Sequence, residues 1–258
     1  MRSSRISTAG LPADELVALD LENKNSFTNI TGGFDAFVHV AAASEGTAEE
    51  LMTITGLGTL HLVERAKILN VGRIIHVSSM AVYGQINDPV VSELTQINQS
   101  IPYGAAKWAA ECYLSNESKI LNAVSIRSPA IAGNRTHRHF LAKILNKMSR
   151  AETTISAANP DHLFNNIVHE DKIAEFINSL LYSKLSLPYQ AIPIGSLEPM
   201  PLRKIIERLA AETKFKGEIN WQSANSSPFS IDSSAAIKLG YKPITTQATL
   251  DLWMRKFS

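Results

Sequence analysis

Short apolar runs alternate with longer helical patterns along the first half of the sequence. The runs are LVALDL (Leu16–Leu21), AFVHVA (Ala36–Ala41), RIIHV (Arg73–Val77) and AVSI (Ala123–Ile126). Continuous apolar runs of this length are typical of strands that are buried on both faces of a parallel sheet. The pattern therefore predicts four strands at these positions, with His39 and His76 inside two of them.

Two helices are predicted between and after these strands. In Glu49–Leu69 the apolar residues recur at steps of three to five residues, and Tyr103–Leu121 has a similar pattern. The alternation of strand and helix predicts an α/β fold, a Rossmann-like doubly wound parallel sheet. In such folds ligands bind at the carboxyl ends of the strands.

The pattern changes after Arg150. Helices are predicted at Asp171–Leu181 and Leu202–Thr213, and prolines interrupt the remaining sequence. We expect residues 1–150 to form a partial dinucleotide-binding domain and residues 151–258 to form mainly a substrate-binding lobe.

Composition excludes several classes of protein. Of the 258 residues 45% are apolar and 19% are charged, which is ordinary for a globular chain. The formal net charge is +1 and the basic residues are scattered, so neither a nucleic-acid surface nor a membrane surface is predicted. A single cysteine, Cys112, fits a reducing compartment, and the sequence has no secretory signal. We expect a cytoplasmic protein without a metal, since the histidines form no ligand motif.

Candidate chemistry comes from Ser79, Tyr103 and Lys107. Tyr103 and Lys107 are four residues apart, so on a helix their side chains share one face. A tyrosine with a pKa of about 10 is a weak base at neutral pH, but a nearby ammonium favours the phenolate and lowers that pKa. Ser79 follows the predicted strand Arg73–Val77 and could hydrogen-bond the same reacting oxygen. These residues predict hydride transfer with a nicotinamide, during which Tyr103 moves the proton.

Several motifs occur in the order of one enzyme family. They are Asp20–Leu21, FDAFVHVAAAS, the SSxxVYG signature in SSMAVYG, YxxxK in YGAAK, IRSPAIAG and LGYKP. With them the chain resembles the extended short-chain dehydrogenase/reductase family, the NAD-dependent epimerase/dehydratases that act on nucleotide sugars. The resemblance covers the sequence from about Leu16 to its end.

The resemblance implies roles for individual residues. Ser79, Tyr103 and Lys107 match the catalytic triad. The residues expected to contact NAD or NADP are Asp20, Leu21, Val40, Ala41, Ala42, Thr55, Val77, Tyr103, Lys107, Ser128 and Pro129. Those expected to contact the nucleotide sugar are Ser79, Met80, Tyr103, Ala130 and Arg135. It also implies a homodimer, formed by the helices at Glu49–Leu69 and Tyr103–Leu121.

The family's opening strand and GxxGxxG turn have no counterpart in this sequence. TGLGTLH (Thr55–His61) has two of the glycines, but it lies in a predicted helix, so we reject it as the fingerprint. We expect a truncated chain rather than a relative that has lost its cofactor, because the triad positions are intact. The GxxGxxG turn is where the family binds the cofactor's pyrophosphate. Its absence therefore weakens the expectation of cofactor binding more than any other.

Other departures concern the substrate. Ala130 and Phe164 stand where many relatives have an asparagine and an arginine that contact it, and Arg135 or Arg138 could supply a phosphate contact instead. Met80 and Ala81 replace the Asp–Glu pair of the dehydratases, which leaves an epimerase or a reductase. Two alternatives stay open: a non-catalytic binding or regulatory relative, and a reductase of small carbonyl compounds.

Overall fold

The computed structural model describes residues 15–98, 100–134, 139–185, 187–222 and 228–255. Its main sheet contains β1 (Ala36–His39), β2 (Arg73–Ser79), β4 (Asn122–Ser128) and β9 (Tyr189–Pro193), in the order β1-β2-β4-β9. All three pairings are parallel. The predicted α/β fold and three of the predicted strands are therefore confirmed, and β9 is an additional strand that the apolar runs did not reveal.

Helices cover both faces of this sheet. The predicted helix at Glu49–Leu69 consists of α1 (Ala48–Leu51), a π-helical stretch (Met52–Leu57) and α2 (Gly58–Ile68). On the same face lies α3 (Pro102–Asn116), where Leu114 packs with Ile74 and Ala123 of the sheet. On the other face α5 (Glu170–Tyr182) packs Phe176 against the strands. This three-layer arrangement buries the strands on both sides and explains their continuous apolar runs.

The remaining elements lie mostly in the second half of the chain. They surround a second apolar core, which includes Leu145, Ile155, Ile206 and Trp253. The helices are α4 (Phe140–Ser149), α6 (Leu202–Glu212), α7 (Ser234–Lys238) and α8 (Thr246–Met254). The short strand pairs are β3 (Val90–Val91) with β12 (Ser230–Ile231), β5 (Ala130–Ala132) with β8 (Ile167–His169), β6 (Thr154–Ala158) with β11 (Glu218–Gln222), and β7 (Leu163–Phe164) with β10 (Met200–Pro201).

The predicted strand Leu16–Leu21 is wrong. This segment has no strand structure, and Leu16, Val17 and Leu19 are exposed. A strand needs a neighbour to pair its backbone groups, and among the described residues β1 pairs only with β2. The apolar run therefore continues as an irregular segment, which turns at Leu21–Glu22 and enters a 3₁₀-helix at Lys24–Asn29.

Across the described ranges, no helix is both long enough and apolar enough to span a bilayer.

Candidate active site

Ser79 is the last residue of β2 and lies at the carboxyl end of the sheet. Its side chain accepts a hydrogen bond from the Ala81 amide at 3.1 Å, so it caps a 3₁₀-helix at Met80–Tyr83. Ser128, the last residue of β4, is its register partner across the sheet, and the Ser128 hydroxyl donates to the Ser78 carbonyl. Two hydroxyl-bearing residues thus end adjacent strands where a ligand of a parallel sheet is expected.

The start of α3 lies directly against this turn. Pro102 is at the first helical position, which its ring favours because that position needs no amide hydrogen. Gly104 permits the close approach: a Cβ at this position would overlap the Ala81 carbonyl oxygen. Tyr103, which is half-buried, is therefore held on the first turn of a helix that contacts the segment following Ser79.

Lys107 lies one helical turn after Tyr103 and is buried, with 2% of its surface exposed. Its Nζ donates to the Val77 carbonyl at 2.7 Å and lies 3.4 Å from His76 Nε2. Burial lowers the pKa of Lys107 to about 8, an effect that the charge of Glu111 opposes. The lysine is therefore mainly an ammonium at neutral pH, fixed at the carboxyl end of β2.

A buried ion pair continues the same face of α3. Arg127 Nε–H is shared between the two carboxylate oxygens of Glu111, and the arginine's terminal NH₂ group donates to Glu111 Oε2 at 2.6 Å. Glu111 also accepts a 2.6 Å bond from the Ser78 hydroxyl, and Arg127 stacks over the Tyr83 ring. The network joins α3 to β2 and β4, so it fixes the helix that carries Tyr103 and Lys107.

Sequence reasoning missed this network, although one signal for it was present. Glu111 follows Lys107 by four residues, as Lys107 follows Tyr103, so all three lie along one helical stripe. The pairing with Arg127, which the RxPxxxG segment contains, depends on the adjacency of α3 and β4.

His39 and His76 lie inside β1 and β2, as predicted, and both belong to the core. Their rings stack with centroids 5.6 Å apart, and both side chains are buried. Burial first, and then the charge of Lys107, lowers the pKa of His39 to about 4 and that of His76 well below its ordinary value. Both rings are therefore neutral near pH 7. The proximity of His76 to Lys107 was not predicted.

The residues expected at the adenine end of a cofactor lie in the irregular segment. Asp20 is exposed, and its carboxylate accepts a bond from the Glu22 amide within a turn. Leu21 is half-buried against α2, where a Cβ on Gly58 would lie 3.0 Å from the leucine Cβ. Gly58 thus serves helix packing, which agrees with the rejection of TGLGTLH as a phosphate loop.

Val40, Ala41 and Ala42 follow β1 at the carboxyl end of the sheet. Val40 and Ala41 are exposed, and Ala42 is half-buried. Thr55 is fully buried and holds this loop to the helix, because its hydroxyl both accepts from the Ala43 amide and donates to the Ala43 carbonyl. The loop is therefore anchored at its far end, while its first residues remain accessible.

A cleft of about 430 Å³ opens beside Ser79. One wall consists of residues expected at the cofactor and the substrate, namely Ser79, Met80, Ser128, Pro129 and Ala130. Phe140, Phe164 and Phe229 contribute aromatic surface to the same cleft. Arg135 and Arg138 lie outside the described residues, so their predicted phosphate contact stays a prediction.

Comparison with known proteins agrees with this arrangement. A model of the NAD dependent epimerase/dehydratase family matches residues 1–165, more than half of the sequence. The chain belongs to this family. Its family makes it an NAD-dependent enzyme of the oxidoreductase or isomerase type.

Individual relatives are distant. Over 97 residues the chain is 31% identical to dTDP-glucose 4,6-dehydratase from Streptomyces niveus; this region is 36% of the chain and spans only 29% of that protein. It is 22% identical to the low-salt glycan biosynthesis protein Agl12 from Haloferax volcanii, over 93% of the chain and 81% of the relative. The structure of RMD from Pseudomonas aeruginosa complexed with NADPH matches with a TM-score of 0.79 and 19% identity, covering 96% of this chain and 89% of that one.

The donor set at the end of β2 fits one half of the family's cofactor. Lys107 offers a buried ammonium against the Val77 carbonyl, and Tyr103 precedes it by one helical turn; two such donors suit a ribose. The start of the helix that follows β1 is not suited to bind the pyrophosphate. Thr47 and Glu50 already form a capping box there, and Glu49 adds a second carboxylate to the first turn. Negative charge at a helix start stabilises the helix but repels phosphate.

Within the ranges that the structure describes, no group of three or more His, Cys, Asp or Glu side chains is arranged to hold a metal ion.

Proposed function

We propose that this protein is an NAD(P)-dependent nucleotide-sugar epimerase or reductase whose acid/base residue is Tyr103. One observation carries the proposal. The Lys107 ammonium is buried at the carboxyl end of β2, one helical turn from Tyr103, and α3 begins against the turn that Ser79 caps. Ser79 also lines the cleft of about 430 Å³.

Each residue has a distinct task in this proposal. Tyr103 takes a proton from the substrate hydroxyl during oxidation, or returns one to the carbonyl oxygen during reduction. The positive charge of Lys107 favours the phenolate form that accepts the proton. Ser79 donates a hydrogen bond to the reacting oxygen and orients it. Bound NAD(P) would supply the acceptor or donor of hydride.

The proposed contacts to the cofactor are those that the family resemblance implies. Lys107 and Tyr103 would hold the nicotinamide ribose, with Val77, Ser128 and Pro129 around the ring. Val40, Ala41, Ala42 and Thr55 would flank the central part, and Asp20 and Leu21 the adenine.

The substrate class is supported by the relatives and limited by the cleft. The Streptomyces niveus relative is named for a dTDP-linked sugar. Met80 and Ala81 supply no carboxylate beside Ser79, so a 4,6-dehydration has no acid–base pair here. An epimerase or a reductase needs none beyond Tyr103, with Met80, Ala130 and Arg135 as the proposed additional substrate contacts.

A second candidate is the reduction of a small apolar carbonyl compound. Phe140, Phe164 and Phe229 give the cleft an aromatic surface, and Phe164 replaces the arginine that the resemblance predicts for a phosphate. Aromatic walls favour a compact apolar substrate over a diphosphate.

We also propose that the protein forms a homodimer through the outer surface of α3 and the helix before it. Trp108 is 46% exposed on α3, and Met52 and Leu57 are 36% and 38% exposed on the π-helical stretch. Exposed large apolar side chains of this kind are typical of interfaces. Light scattering after size exclusion should give twice the chain mass, and a Trp108→Glu variant should give one chain mass.

The test of the function begins with a calorimetric titration of NAD(H) and NADP(H), with circular dichroism to verify the fold. The same protein is then incubated with UDP- and dTDP-linked hexoses, their 4-keto forms and small aromatic aldehydes. Chromatography identifies an epimer or an alcohol. We expect saturable binding of one dinucleotide and conversion of a nucleotide sugar. Aldehyde reduction alone would favour the second candidate, and a folded chain that binds neither dinucleotide would favour a non-catalytic relative.

A further inference from the structure

His76 lies at the centre of a chain of hydrogen bonds that the proposed mechanism does not use. Its Nε2 lies 3.4 Å from Lys107 Nζ, and its Nδ1 lies 3.1 Å from Ser125 Oγ. Ser125 Oγ in turn lies 3.2 Å from the Tyr189 hydroxyl. We call Lys107, His76, Ser125 and Tyr189 the lysine–histidine chain. It runs from α3 through β2 and β4 to β9.

The charge of Lys107 determines which nitrogen of His76 carries the proton. A neutral imidazole has one donor and one acceptor nitrogen, whereas an ammonium can only donate. While Lys107 is charged, Nε2 of His76 must accept, and Nδ1–H donates to Ser125. When Lys107 is neutral, both bonds of the ring can reverse: Ser125 donates to Nδ1, and Nε2–H donates to the amine. The Tyr189 hydroxyl donates to Ser125 in either state. Each charge state thus has its own complete set of bonds.

The stacked neighbour His39 lacks this freedom. The Thr59 hydroxyl donates to the Thr55 carbonyl at 2.6 Å, so the threonine oxygen is left to accept from His39. His39 Nε2 lies 3.0 Å from that oxygen and must therefore carry a hydrogen. Of the two stacked histidines, only His76 has partners that permit either tautomer.

We propose that His76 is a positioning residue for Lys107, and that its tautomer follows the charge of the lysine. This role rests on the proposed function. In it, His76 keeps the Lys107 ammonium directed at the carboxyl end of β2, one helical turn from Tyr103. The titratable groups that act on His76 are His39 from β1 and Lys107 from α3, and Tyr189 from β9 reaches it through Ser125. Glu111 and Cys112 from α3 and Arg127 from β4 act on Tyr189. Glu111 is already paired with Arg127, which leaves Lys107 as the cation that contacts the ring.

Nitrogen-15 NMR of the histidine-labelled 258-residue chain tests the tautomer without substrate or cofactor. We expect His76 to carry its proton on Nδ1 at pH 7 and on Nε2 once Lys107 is neutral, with a midpoint near the lysine pKa of about 8. His162 is the internal control, because its Nε2 contacts the Phe229 carbonyl at 2.7 Å, and a carbonyl only accepts. An Nε2–H tautomer of His76 at pH 7, or no change up to pH 10, would overturn the proposal.

Two variants separate positioning from simple packing. His76→Gln keeps an acceptor within reach of Lys107, whereas His76→Leu fills the space without one. We expect the alkaline limb of the turnover–pH profile to fall by about one pH unit in His76→Leu and to stay in place in His76→Gln. Equal profiles in both variants would contradict the role. Tautomer switching without any turnover would reject the proposed function while leaving the His76–Lys107 coupling intact.

Discussion

Two apolar runs of similar appearance have opposite outcomes in this chain. RIIHV (Arg73–Val77) becomes the first five residues of β2, with Ile74, Ile75 and His76 fully buried. LVALDL (Leu16–Leu21) stays irregular, and Leu16, Val17 and Leu19 are exposed. The difference lies in their neighbours, since β2 pairs with β1 on one side and β4 on the other. An apolar run specifies a strand only where other strands can satisfy its backbone.

The largest expected change in stability comes from a buried ion pair of the sheet region, compared with an exposed ion pair of the amino-terminal segment. Glu111→Gln removes the partner of Arg127, which is buried, and should lower the free energy of unfolding by about 3–5 kcal/mol. Glu64→Gln breaks the exposed pair with Lys24 of the amino-terminal segment and should change it by roughly 0–1 kcal/mol. Urea unfolding measures both. Equal small effects would show that the buried network does not hold α3 to the sheet.

The next effect concerns pH and the buried histidines. The folded-state pKa of His39 is depressed to about 4, so between pH 6.5 and 4 the unfolded chain binds more protons than the folded chain. Stability should therefore be lost as pH falls through this window, on the order of 3 kcal/mol for His39 by pH 4. His76 contributes with the same sign.

Urea midpoints at intervals between pH 7 and 4 measure this loss. His39→Gln can still donate to Thr59 but does not titrate, so its stability should depend less steeply on pH. A His39→Gln profile that is parallel to the wild-type profile would exclude His39 as a source of the acid sensitivity.

Two glycine-to-alanine variants test the contact between α3 and the 3₁₀-helix that follows Ser79. Gly104→Ala places a Cβ against the Ala81 carbonyl, and this overpacking should lower the free energy of unfolding by about 1–3 kcal/mol. It should also reduce turnover, because Tyr103 moves away from Ser79. Gly33→Ala is the matched control, since its Cβ would have no neighbour within 4 Å. If both variants behave alike in denaturant and in the assay, the close approach is unimportant.

The smallest expected change in stability comes from shortening one apolar side chain in each of the two runs. Ile75→Val removes one methylene from the buried strand and should lower the free energy of unfolding by about 0.5–1.5 kcal/mol. Leu16→Ala removes more atoms, but from an exposed position, and should change it by less than about 0.5 kcal/mol. Thermal and urea unfolding together can resolve this difference. A larger loss in Leu16→Ala would mean that the segment is packed in solution.

Much of the layout could be predicted because it depends on local signals. The helix that carries Tyr103 and Lys107, and three of the sheet strands, follow from apolar periodicity and run length. The spacing of Tyr103 and Lys107 likewise predicts that they share a helical face.

What could not be predicted depends on contacts between distant segments. The Glu111–Arg127 pair and the His76–Lys107 contact arise only once α3 lies across β2 and β4. The error at Leu16–Leu21 has the same origin, because a strand's existence is decided by its partners rather than by its own sequence.

The most direct test of the proposed chemistry compares turnover of Tyr103→Phe with that of Tyr113→Phe. Tyr113 lies on the same helix and is also half-buried, but it is almost three turns away from Tyr103. With a nucleotide-sugar substrate and the preferred dinucleotide, Tyr103→Phe should lose at least about a hundredfold in turnover, while Tyr113→Phe should keep most of it. Retained turnover in Tyr103→Phe would contradict the assignment of Tyr103 as the residue that moves the proton.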